Sequence, residues 1–155
     1  MTKFIMFIMI VAIGFTAKAQ VTTLQVNNTT GCGVWLIFHG STGPCNTDYS
    51  SQAIYFGPGA SAVYANPAAV PGGLLDAFFN PLGPGGVFTR VRLLKSDPNV
   101  PCSPGGASVT GSGCSGPSSA TMTVEVGPPP LCLPCSTATT IQWLPVNPTT
   151  AQIFM

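Results

Sequence analysis

The chain has 155 residues, 45% of them hydrophobic and 6% charged, with a formal net charge of +1. Ordinary globular proteins are about 25% charged, so this surface must be wetted by hydroxyls, amides and backbone. So few cations exclude binding that depends on neutralising many phosphates or on attraction to anionic lipid.

Lys3, the uncharged apolar run at 4–15 and the Ala17-Lys18-Ala19 triplet read as a secretory signal peptide over 1–19, with Gln20 as the mature N-terminus. The run is too short to anchor in a bilayer. No cysteine follows the cleavage site, so a lipoprotein anchor is not expected, and no membrane anchor remains after cleavage. The mature chain keeps Arg90, Arg92 and Lys95 against Asp48, Asp76, Asp97 and Glu125, a formal charge of −1. With so little repulsion between copies, self-association is easy. Residues 20–155 suit a single domain.

In chain order, 21–27 sets Leu24 and Val26 on one face and Thr23 and Gln25 on the other. The stretch 33–39, GVWLIFH, is apolar on both faces and predicts a strand covered on both sides. Strands at 52–56 and 60–65 flank Gly57-Pro58-Gly59, a turn signal. The stretch 74–79, LLDAFF, fits either a strand or a short helical turn. Residues 87–94 place Arg90 and Arg92 on one face, and 120–126 alternates with Met122, Val124 and Val126 inward. Residues 139–144 set Ile141 and Trp143 together, and 151–154 closes the chain after an Asn-Pro turn. About eight or nine short strands without an amphipathic helix predict an all-β, antiparallel β-sandwich. Residues 96–119 show no strand pattern, and a connection that long is expected to be functional, stapled or mobile.

Six cysteines, Cys32, Cys45, Cys102, Cys114, Cys132 and Cys135, in a secreted chain imply a disulfide framework. Pairing of sequence neighbours is the expectation: Cys32–Cys45, Cys102–Cys114 and Cys132–Cys135. A cross-pairing of Cys102 or Cys114 with Cys132 or Cys135 is the rival. The Cys132-Leu-Pro-Cys135 run matches a redox motif at Pro134, but three prolines precede it and a β-like TTIQWL follows. A redox centre needs a helix N-terminus to lower the thiol pKa. Zinc would need a second ligand pair at matching spacing, which is missing. Structural disulfides are therefore expected, with no metal and no cofactor.

His39, the only histidine, ends an apolar strand, and no G-x-S-x-G nucleophile elbow accompanies it. The four acids are scattered, so a catalytic carboxylate pair, with Asp48 and Asp76 the first candidates, is the runner-up reading. Arg90 and Arg92 on one strand face would clamp an anionic group such as a uronate. The plainer reading is an edge strand charged against aggregation. Trp35, Tyr49, Tyr55, Tyr64 and Trp143 are candidate sugar-stacking platforms; the tryptophans are expected to pack inside, and Tyr49, in a polar loop, is the better candidate. Asn27 to Thr30 holds two overlapping N-glycosylation sequons.

The stretches LQVNNTTGCGVW and FGPGASAVYANP resemble the opening strands of thaumatin-like β-sandwich proteins, without that family's dense cysteine framework or acidic cleft. The layout as a whole, with a leader ending in KAQ, an NNTT strand, Cys-Ser-Pro-Gly loops and a late Trp strand, resembles small secreted proteins of Bacteroidetes-type bacteria. That resemblance implies a secreted sandwich. The expected role is a non-enzymatic interaction domain that presents its loops to a glycan, a matrix component or its own copies. The alternatives are a carbohydrate-active hydrolase and a structural subunit of an extracellular assembly.

Overall fold

The computed structural model describes residues 20–100, 102–111, 114–126 and 132–155, so the expected signal peptide lies outside the described residues. Twelve strands form: β1 (Thr23–Asn27), β2 (Val34–Ser41), β3 (Tyr49–Ser50), β4 (Ile54–Phe56), β5 (Ser61–Tyr64), β6 (Val87–Leu94), β7 (Gly106–Thr110), β8 (Ser119–Met122), β9 (Glu125–Val126), β10 (Leu133–Pro134), β11 (Thr139–Asn147) and β12 (Thr150–Phe154). The only helical element among the described residues is a 3-10 turn, Pro67–Ala69, capped by the Asn66 side chain. The fold is all-β, as the alternation predicts.

One sheet runs β5-β1-β12-β11-β8. In the other, β2 carries β3 and β4 on one side and β6, then β7, on the other. A two-stranded ribbon, β9–β10, stands apart. All pairings are antiparallel except β1 with β12, which run parallel from Thr23↔Thr150 to Asn27↔Phe154.

Alternation places the core. Leu24, Val26, Ile141, Trp143, Ala151 and Ile153 point inward from the first sheet, and Val34, Leu36, Phe38, Val91, Leu93 and Val109 from the second. These residues form one continuous cluster. The Phe38 ring meets Phe56 and Tyr64 edge-on at 6.2 and 5.3 Å, so the aromatic contact crosses from one sheet to the other. Gly57-Pro58-Gly59 does not close a hairpin. It carries the chain from β4, paired with β2, over to β5, paired with β1.

That crossing is fastened by Asn28, which is buried. Its Nδ2 donates to the carbonyls of Cys32, Phe56 and Gly57 at 2.8, 3.1 and 2.9 Å. Its Oδ1 accepts from the Thr30 backbone and hydroxyl. A buried amide is stable only when its donors and acceptors are met, and here they are met by the two loops it joins.

The disulfides are Cys32–Cys135, Cys45–Cys114 and Cys102–Cys132, so the neighbour pairings are wrong and one of the rival cross-pairings is present. The reason is geometric. Each expected pair has a strand between its members: β2 separates Cys32 from Cys45, β7 separates Cys102 from Cys114, and β10 separates Cys132 from Cys135. An extended strand advances about 3.3 Å per residue, so even the shortest of these gaps is about 10 Å, beyond the roughly 7 Å limit for bridged Cα atoms. The observed pairs have Cα–Cα distances of 6.3, 5.0 and 5.6 Å.

Three further expectations change. The connection 96–119 contains the strand β7. Residues 120–126 split into β8 and β9, because Thr123 and Val124 pair with neither partner. The stretch 74–79 forms a turn in which Leu74 is buried and Leu75 makes single bridges to Ser50 and Pro81.

Candidate functional site

The outer face of the second sheet gathers most of the side chains capable of recognition. Register puts directly opposed residues on the same face, which gives three rows. Tyr55, Trp35, Leu94 and Gly106 form the first; Ile37, Arg92 and Ser108 the second; Ser50, His39, Arg90 and Thr110 the third. The expectation of a strand covered on both sides fails here. Val34, Leu36 and Phe38 are buried, but Trp35, Ile37 and His39 alternate outward and are only half-buried. Of the two tryptophans only Trp143 packs inside.

Trp35 and Tyr55 lie side by side, with ring centroids 5.3 Å apart and planes tilted by 52°. Gly33 makes this possible, because a β-carbon there would overlap the Tyr55 ring. The pair floors a cavity of about 490 Å³ completed by Gly33, Asp97, Val100, Glu125 and Val126. A second cavity of about 390 Å³ is lined by Arg92, Leu94 and the loop from Ser96 to Gly105. Asp97 and Val100 line both, so the two cavities adjoin along that loop, and together they are called the cleft.

The far wall of the cleft is fixed in place. Glu125 forms an ion pair with Lys95 at 3.0 Å and accepts from the Ser103 backbone at 3.0 Å and hydroxyl at 2.9 Å. Cys102–Cys132 ties the same loop to β10. The Ser103 N–H, then Lys95 and the Ser103 hydroxyl, hold the Glu125 carboxyl below its ordinary pKa. Asp97 turns its Oδ1 back onto the Asn99 backbone and amide at 2.8 and 3.2 Å.

His39 sits in the third row, opposite Arg90. Burial first, then the charges of Arg90 and Arg92, lower its pKa to about 4, so it is neutral at physiological pH. Its Nδ1 and the Nε of Arg90 are both buried without a hydrogen-bond partner.

Arg90 and Arg92 share a face, as their spacing predicts. β6 lies between β2 and β7, so the edge-strand explanation of these charges does not apply. Tyr49 is not in a polar loop: it lies in β3, opposite Gly40, and packs half-buried against the core. Asp48 and Asp76 are outside the cleft linings. Asp76 is spent on its own turn, accepting from the Phe78 and Asn80 backbones at 2.8 Å each and from the Asn80 amide at 3.0 Å. The Asn80 side chain, then its backbone N–H, holds the Asp76 carboxyl low. The turn raises Phe78 and Phe79 into solvent, with Phe79 at φ 63°. Among the described residues no group of three His, Cys, Asp or Glu side chains could hold a metal ion.

Comparison with protein-family models, with curated proteins and with solved structures finds no match for this chain. What the cleft can do therefore rests on its own chemistry. An exposed aromatic pair offers apolar faces, and the surrounding hydroxyls, backbone and arginine offer directional hydrogen bonds. That combination suits a flat ligand with polar edges.

Proposed function

We propose that this protein is a secreted or cell-surface, non-enzymatic domain that binds glycan in the cleft floored by Trp35 and Tyr55. The observation that carries the reading is that aromatic pair, held side by side beside a cavity large enough for a sugar ring. Pyranose rings present C–H faces that stack on aromatics, and their hydroxyls can bond the Asp97 and Glu125 carboxylates beside that pair and Ser96, Ser103 and loop backbone in the adjoining cavity. All six cysteines are paired, which suits an oxidising compartment, and no described helix is long and apolar enough to cross a membrane.

The electrostatics favour binding over hydrolysis. A glycosidase acid must stay protonated near neutrality, which requires a raised pKa. Glu125, which lines the cleft, is shifted the other way and paired with Lys95.

The test is a glycan array followed by calorimetry on the oxidised protein. Trp35→Ala and Tyr55→Ala are each expected to weaken binding by about tenfold, or 1.4 kcal/mol, the scale of one aromatic stacking contact. Capture that survives both substitutions, or no capture of any glycan, would remove the reading.

A further inference from the structure

The charges of this face are unequally matched. Three described cations are present, and Lys95 is neutralised by Glu125. Neither Arg90 nor Arg92 has a carboxylate within ion-pair distance among the described residues, although all four acids of the chain are described. The acid that lines the same cavity as Arg92, Asp97, is engaged with Asn99. Two arginines two residues apart in a central strand serve no edge-protecting purpose, and Arg90 leaves a buried donor unused. Unmet donors of this kind are costly unless a ligand or water meets them.

Arg92 is also aimed. It is exposed, and it belongs to the row next to that of Trp35 and Leu94, about 7 Å away along the strand. Its Nε lies 3.1 Å from where a β-carbon of Gly106 would stand, and Gly106 is in the Trp35–Leu94 row. The glycine thus leaves the space into which the guanidinium leans, on the β7 side of β6, where it lines the second cavity.

We infer that the ligand of this face carries an oxyanion on its sugar, a uronate carboxylate or a sulfate ester, received by Arg92 while a neighbouring ring stacks on Trp35 and Tyr55. This rests on the glycan reading and narrows it. A guanidinium matches either group with paired N–H donors. Arg90, one row further on, adds positive potential and a second donor set for a longer chain. No proton need be supplied by the protein, because the ligand is already ionised at neutral pH and His39 is neutral there.

The experiment compares charged and uncharged forms of the same backbones by calorimetry: oligogalacturonate against its methyl ester, and a sulfated galactan oligosaccharide against the desulfated one. The charged form of one pair is expected to bind about tenfold more tightly at low salt. The gap should narrow in 0.5 M salt as the ionic contact is screened. Arg92→Gln should erase the gap between the charged and uncharged forms, and Arg92→Lys should retain part of it. Whichever pair shows the gap identifies the carboxylate or the sulfate as the source. Equal affinity within both pairs would overturn the oxyanion assignment and leave the glycan reading standing. A gap that persists in Arg92→Gln would also overturn it. Failure of every saccharide, on the array as well, would remove both together.

Discussion

The two sheets show solvent opposite outer faces. On the first, opposed rows such as Val63, Gln25, Gln152 and Leu144, or Ser61, Asn27, Phe154, Gln142 and Ser119, contain no charged residue. Its strands β1, β5, β8, β11 and β12 contain none at all. On the second, Trp35, Tyr55, His39, Arg90 and Arg92 share one face, and Lys95, Asp97 and Glu125 border it. The disulfides lean the same way, although Cys135 before β11 and Cys114 before β8 also sit in loops that enter the first sheet. Each fastens at least one loop that leaves or enters the second sheet, through Cys32 before β2, Cys45 after β2, and Cys102 and Cys114 on either side of β7. A face carrying long irregular loops needs covalent support to hold a cleft open with fixed walls.

Substitutions sharpen that contrast. The largest effect is expected from replacing Cys32 and Cys135 together with serine. The bridge closes a loop of 103 residues, so its loss should cost about 4–5 kcal/mol of unfolding free energy on the chain-entropy estimate. Denaturant melts of the oxidised proteins measure this, and a loss under 1 kcal/mol would show that the bridge adds nothing to the hydrogen-bonded frame. Next comes Asn28→Ala, expected to cost about 2–3 kcal/mol, because it strips the carbonyls of Cys32, Phe56 and Gly57 of a buried donor. Gln152→Ala on the charge-free face should stay within about 0.5 kcal/mol. A pH dependence is also expected. Because the folded His39 has a pKa near 4, below its ordinary 6.5, the unfolded chain binds the extra proton first. The His39 contribution is therefore complete above pH 6.5 and is lost as pH falls from 6.5 toward 4. His39→Gln should flatten that part of the stability profile, and an unchanged slope would mean that His39 protonates freely in the fold.

Much of this was legible in advance. The pattern of Val87 to Leu94 gave β6 its bounds and set Arg90 beside Arg92. Leu24 with Val26, and Ile141 with Trp143, marked the inward faces of β1 and β11. What escaped has physical causes. VWLIF, residues 34–38, is apolar at every position, so alternation could not say which residues face out, and Trp35 was assigned to the wrong side. Gly33 offered a clue, since a glycine two positions before Trp35 leaves room for a ring. GASVT supplies a single large apolar side chain, Val109, too little to announce β7. Tyr49 sits among polar residues in sequence, but its neighbours in space are core side chains. Disulfide partners depend on which loops meet at a sheet end, and spacing along the chain carries no record of that.

The parallel pairing of β1 with β12 has a consequence in time. The Thr22 amide bonds the Thr149 carbonyl at 2.9 Å across 127 positions of chain, and β12 lies inside its sheet, between β1 and β11. Contacts so distant in sequence slow folding, because the loop between them must close before they form. The first sheet therefore cannot be completed until the last strand of the chain is free to join it, so β1 must wait for β12 before their ladder closes.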